Sequence, residues 1–284
     1  MSLNFEIPTP LAYFAALVAS DAHFPLLEAA VSIAQDEYPE LDVQQVLGDV
    51  DRLLERLKRQ MPADAPPLQR LRVLNQFFFR DLGFSGNVNH YHDPDNSFLS
   101  AVLCTRRGIP ISLALLWMEL AQGVGLPAHG VGFPGHFMVK VQLPGGLVVI
   151  DPFTGQSLGR DALAERLEPY QLPGDMEDEF NAPLGLYLQA AHPRDIIARM
   201  LRNLKEIYRT EEDWTRMLAV QNRLIVLLPA FWNEYRDRGL LHAELGNAVQ
   251  AILDLEIYLE NAREAVDHRA ITDRLSALQD IRSG

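Results

Sequence analysis

Cysteine is nearly absent, with Cys104 the only one in 284 residues. No intramolecular disulfide can form, and a reducing cytoplasm is the expected setting. Positive charge is scarce as well: 25 Lys and Arg stand against 38 Asp and Glu, for a formal net charge of -13. Sequence-independent nucleic-acid binding and adhesion to anionic lipid both draw on Lys and Arg, so neither is expected. Long apolar runs are missing too. The longest, such as Ile109–Leu116 and Leu147–Ile150, fall far short of the ~20 residues that cross a bilayer. The N-terminal stretch carries Glu6 where a secretory signal would be basic, which predicts no such signal.

What remains is the balance of a soluble globular protein, 48% apolar and 22% charged, at a length that favours two domains. The first part reads as helical. Thr9-Pro10 supplies a cap and a first-turn proline for residues 11–18. Apolar stripes follow over 24–35, 41–61 and 68–82, the last with Phe77 and Phe78 on its inner side. After the Gly/Asn/Asp-rich loop 83–98, Ser97 is expected to cap a short helix through Leu103. A helix over 111–123 is apolar nearly all round, so it should be buried. Short strands are expected around 128–133, 137–142 and 147–150, with Pro144-Gly145-Gly146 turning the last two into a hairpin. An acidic run at 175–179 marks a linker or a solvated face.

Beyond about residue 193 the chain repeats itself. Pairing Leu201 with Tyr235, Glu212 with Gly246, Trp214 with Ala248, Met217 with Ala251 and Leu218 with Ile252 gives one constant offset. That offset is the tetratricopeptide period, and it predicts helix pairs over 195–209 with 213–227 and 232–245 with 247–261, closed by a helix over 266–281. The fold class expected is α+β: a helix-rich first domain (1–181, helical to about 95, core about 96–160) around a small antiparallel sheet, then an α-α repeat domain (193–284).

Chemistry points to His136 and Asp151, fifteen residues apart on neighbouring strands. A thiol hydrolase needs an imidazole oriented by a third group, and a thiol best activated at the first turn of a helix. The segments SFLSAVLCTRRGIPISLALLWMELAQGVGLPAHGVGFPGHFMVKV and IDPFTG resemble the transglutaminase-like, papain-like core, most closely its bacterial SirB-type branch, which also carries C-terminal tetratricopeptide repeats. Carried over position by position, the resemblance matches Gly125-Leu126-Pro127 to the turn after the core helix, His136 to the histidine and Asp151-Pro152 to the aspartate. The cysteine position falls on Pro110. Cys104 lies six residues earlier, in the last turn of a helix, where a thiolate is disfavoured; Arg106 and Arg107 work in the other direction.

Three readings stay open. In the first, the core is non-catalytic and the chain is an interaction or regulatory protein that holds a protein or peptide in its repeat groove. In the second, Cys104, His136 and Asp151 form a displaced cysteine hydrolase or acyltransferase site. In the third, the His136/Asp151 cleft binds a small ligand without turning it over. Ser112, near the helix start, reads as structural. The ligand-type residues His90, His92 and Asp93 sit at alternating spacing in a loop, too sparse for a metal site, so neither a metal nor a cofactor is expected.

Overall fold

The computed structural model describes residues 8–170 and 184–283. The acidic run at 175–179 lies outside the described residues. Two compact units are present, the larger comprising residues 25–34 and 40–200, the smaller residues 1–24, 35–39 and 201–284. Helix α1 (Pro10–Leu17) begins as its sequence predicts, with the Thr9 hydroxyl accepting from the Ala12 N–H at 3.2 Å and Pro10 in the first turn. It belongs to the smaller unit, however, and not to the first domain as expected. Phe14 is fully buried beneath the Arg223 guanidinium, 5.0 Å from the ring centroid.

In the larger unit, α2 (Leu26–Ser32) is followed by α3 (Val43–Gln60). Asp42 caps α3 by accepting the N–H groups of Gln44 and Gln45, and Val43, Val46, Val50, Leu53 and Leu57 form its buried stripe. Helix α4 (Pro67–Asn75) ends where a π turn, Gln76–Asp81, begins. The sequence predicts one regular helix here. Three consecutive phenylalanines cannot share one face of an α-helix, and the wider turn buries Phe77 and Phe78 while Phe78 stacks on Phe84 at 4.3 Å. Next come β1 (Ser85–Gly86), α5 (Leu99–Thr105), β2 (Arg107–Gly108) and α6 (Pro110–Gly123). Phe98, not Ser97, occupies the N-cap of α5; Ser97 is buried.

Helix α6 is the axis of this unit, buried without interruption from Pro110 to Met118, with α2, α3, α4 and α5 packed around it. Trp117 is fully buried and donates its indole N–H to Asn75 Oδ1 at 3.0 Å, which fixes α6 against α4. Its remaining side meets an antiparallel sheet of β3 (Ala128–Val131), β4 (Met138–Leu143), β5 (Gly146–Ile150) and β6 (Ser157–Leu158). Leu143 pairs with Gly146, so the predicted hairpin turns on Pro144-Gly145, and Gly146, expected in the turn, already belongs to β5. Helices α7 (Arg160–Leu167) and α8 (Leu184–Tyr187) cover the sheet's other side, where Leu163, Leu167 and Leu188 pack on Val131, Met138 and Val149. The sheet is therefore covered on both faces around Val131, Met138 and Val149, while its far end at Gln142 and Leu147 is exposed.

The repeats follow the expected pattern closely: α9 (Pro193–Thr210), α10 (Trp214–Leu227), α11 (Trp232–Glu244), α12 (Ala248–Asn261) and α13 (His268–Ser283). Buried Glu234 accepts from Arg202, Lys205 and Gln221, so both of its carboxylate oxygens are paired inside the helix stack. Positions 212 and 246, aligned by the repeat offset, are both left-handed, with φ of 57° at Glu212 and 74° at Gly246. Each ends the turn between two helices of a pair, a place where glycine is free of strain and a side chain is not. Glu212→Gly should therefore raise stability by ~1 kcal/mol; chemical denaturation showing no gain would mean that the exposed Glu212 side chain has stabilising contacts of its own.

Candidate functional site

Backbone pairing, not side-chain packing, brings the pieces of the site together. Strands β1 and β2 run parallel, pairing Ser85 with Arg107 and Gly86 with Gly108. The Gly86 N–H also donates to the Phe153 carbonyl at 2.9 Å, two residues past Asp151. Hydrogen bonds thus tie the segment after Asp151, through Gly86 and Gly108, to the start of α6 at Pro110. Gly86 has to be glycine, because a Cβ there would lie 2.3 Å from the Phe153 ring. On the other side, α6 packs on β3 and β4, and His136 sits in the turn just before β4.

His136 and Asp151 are in direct contact, His136 Nε2 to Asp151 Oδ1 at 2.8 Å. The carboxylate is almost wholly buried, its side chain 2% exposed against 22% for the histidine. It is well satisfied nonetheless. The Phe153 N–H donates to the same Oδ1 at 2.9 Å, and both terminal nitrogens of Arg166 reach Oδ2 at 3.3 Å. Burial pushes the Asp151 carboxyl up. The His136 hydrogen bond and charge, the Phe153 N–H and the Arg166 guanidinium outweigh it, and the net shift is below the usual carboxylate range. Because Asp151 holds Nε2, the Nδ1 side of the ring is the one left for other chemistry.

Pro110 fills the first turn of α6 and is buried. Ser112, two residues on, is fully engaged: its Oγ accepts from the Ile109 N–H at 3.2 Å and faces the Asn96 and Ile109 carbonyls at 2.6 and 3.0 Å. A hydroxyl with its one proton committed to a buried carbonyl is a structural brace. Cys104 lies in the last turn of α5, exposed, in a cleft lined by α3 and α5 residues that include neither His136 nor Asp151. Among the described residues no hydrogen bond joins it to His136. Arg106 takes the left-handed C-cap of α5, and Arg107 donates to the Gly83 carbonyl at 2.8 Å. The His90–Asp93 loop is held from below, with Asn96 Nδ2 donating to the His90 carbonyl at 2.6 Å. Among the described residues no group of three or more His, Cys, Asp or Glu side chains stands close enough to hold a metal ion.

Comparison with known proteins fits this architecture. Residues 44–202 match the model of a transglutaminase-like superfamily, and residues 204–276 match a tetratricopeptide repeat. A UPF0162 protein of Xylella fastidiosa is 37% identical over 241 residues, 84% of this chain and 85% of its own length. The chain belongs to the transglutaminase-like UPF0162 family. More distant UPF0162 proteins include one from Vibrio cholerae, 27% identical over 83% of this chain and 86% of its own, and YchA of Escherichia coli, 27% identical over 84% and 87%. In this UPF0162 chain the residues that sequence reading missed are Arg166 and Gly86. Arg166 sits mid-helix on α7 with no motif around it, and Gly86 gains its meaning only from the ring of Phe153.

No helix among the described residues is long and apolar enough to cross a membrane. Tetratricopeptide repeats generally mediate protein–protein contacts, so the two parts of this UPF0162 protein have different kinds of work available to them.

Proposed function

We propose that this is a cytoplasmic interaction or regulatory protein, with a transglutaminase-like core that does not catalyse and a repeat module that holds a protein or peptide partner. Pro110 carries the reading. The start of α6 is where free N–H groups would favour a thiolate, and the residue there has no nucleophile. Ser112, the nearest hydroxyl, is committed to backbone carbonyls. Asp151 binds His136 and Arg166 alike, so the cluster has a structural use without chemistry: it pins the turn before β4 and helix α7 to the end of β5.

Thiol labelling and acyl-transfer assays on the full chain test this directly. Cys104 should alkylate at the rate of an ordinary exposed thiol, unchanged by His136→Ala, and peptide or ester substrates should not turn over. Turnover that disappears in both Cys104→Ser and His136→Ala would overturn the proposal in favour of a displaced Cys104–His136–Asp151 hydrolase or acyltransferase.

A further inference from the structure

The cleft that contains Cys104 has a volume of about 680 Å³, within the ~300–1,000 Å³ typical of small-molecule sites. Leu53 and Leu103 give it apolar walls, while Arg52, Arg56, Arg106 and Ser100 bring donors. The carboxylates along it are mostly committed. Asp42 accepts the first N–H groups of α3, and Asp49 pairs with Arg52; Glu40 is exposed to solvent. Among the described residues, Arg56 and Arg106 have no carboxylate partner, each resting instead over an aromatic ring, Phe77 at 5.8 Å and Phe84 at 4.6 Å.

Arg106 has two features that the fold does not require. Its backbone is left-handed, φ 61°, at a C-cap where glycine would close the helix without strain. Its Nη1 is shielded from solvent and has no hydrogen-bond partner, and the Ser100 Oγ, in the same cleft, is in the same condition. Buried polar groups are almost always matched, so an unmatched guanidinium nitrogen and an unmatched hydroxyl on two residues that border one cleft suit a ligand whose seating turns both side chains towards it. Helical spacing puts Ser100 and Cys104 on one face of α5. Burial lowers the Arg106 pKa, and Arg56 adds to this against the opposing influence of Cys104 and Asp49, as befits a cation lacking its anion.

We propose that this cleft binds a small organic anion, with its oxyanion, a carboxylate or a phosphate monoester, taken by Arg106, Arg56 and the Ser100 hydroxyl, and the rest of the molecule lying along Leu53 and Leu103 beside the Cys104 thiol. The forked donors of a guanidinium match either oxyanion, and the apolar walls favour an organic body over the bare ion. This site is independent of Pro110, so acyl-transfer activity or its absence leaves it untouched.

Calorimetric titration of the full chain with benzoate and with phenyl phosphate, at constant ionic strength, tests the site and separates the two oxyanions. At least one should bind saturably with one-to-one stoichiometry and slow iodoacetamide alkylation of Cys104 at least fivefold at saturation. Arg106→Gly removes the guanidinium while easing the backbone, so this variant should melt within a few degrees of the parent. It should bind at least tenfold more weakly, the loss expected for a charged hydrogen bond. Arg56→Ala, on the exposed side of α3, should weaken binding as well and gives the same readout if Arg106→Gly does not fold. Absence of saturable binding by either ligand at millimolar concentration, or binding and thiol protection that survive both substitutions, would overturn the proposal.

Discussion

Asp151→Ala should destabilise the larger unit by ~3 kcal/mol. Removing one partner of a buried charged cluster leaves the others desolvated and unpaired, a loss that typically reaches ~3–5 kcal/mol. Here the lower end applies. Arg166 is 38% exposed and meets Oδ2 at 3.3 Å, longer than the ~2.7–2.9 Å of a strong charge-assisted bond, so it can turn back to water. His136 is partly exposed and adapts as well. The Phe153 N–H cannot, because the turn from Asp151 to Gly155 is closed by the Gly155 N–H bonding the Asp151 carbonyl at 2.8 Å. At ~2–4 °C per kcal/mol for a unit of this size, the melting temperature should fall by roughly 6–12 °C.

The same carboxylate sets a pH dependence with a definite sign. Its folded pKa lies below the ordinary value, which is ~3.9 for an unfolded aspartate. The stabilisation is therefore complete above the ordinary value and drains away as pH falls through the folded one. Asp151→Asn keeps the shape and removes the titration. The stability gap between parent and Asp151→Asn should narrow steadily below ~pH 4. A gap that stays constant down to the acid limit would mean that the cluster does not favour the ionised carboxylate.

Much of the architecture was legible because the forces that set it act over short stretches of chain. The buried stripe of α3, the all-apolar α6 and the Pro144-Gly145 turn each announce themselves within one or two turns of chain. The repeats announce themselves by their offset, which pairs Glu212 with Gly246, although the left-handed backbone at both is seen only in the structure. What was hidden depends on distant partners. Nothing in the local pattern of α1 says that Phe14 will lie beneath Arg223, and two-residue strands such as β1 and β2 have no period to detect. The His136–Asp151 contact could be anticipated from the strand pair, whereas Arg166, on the following helix, is an ordinary surface arginine until the fold turns it towards Oδ2. Triple phenylalanine at 77–79 reads as helix core, and only packing shows that the backbone widens to place the rings.

Placing a thiol at the start of α6 tests the proposal that Pro110 stands where a nucleophile would. In a Cys104→Ser background, the thiol introduced by Pro110→Cys would stand at the first turn of a helix, near free N–H groups, with the backbone chain through Gly108, Gly86 and Phe153 tying that turn to the segment after Asp151. Proline at this position suits the fold without being required by it, since the first-turn N–H has no helical acceptor; the substitution should cost no more than ~1 kcal/mol. Helix N-termini and a neighbouring imidazolium bring thiols from ~8.5 down to ~3.5–7.5, so an apparent pKa near 6.5 or lower is expected from thiolate ultraviolet absorbance. At pH 5.5 such a thiol is roughly 90 times more ionised than an ordinary one, and its weaker nucleophilicity takes back a factor of ~8, leaving alkylation about tenfold faster. Adding His136→Ala should raise the titration part of the way to the ordinary thiol range, the helix N-terminus remaining, because Asp151 holds Nε2 and leaves Nδ1 free to meet a thiol. A titration that does not move on loss of His136 would show that the start of α6 and the histidine do not face each other.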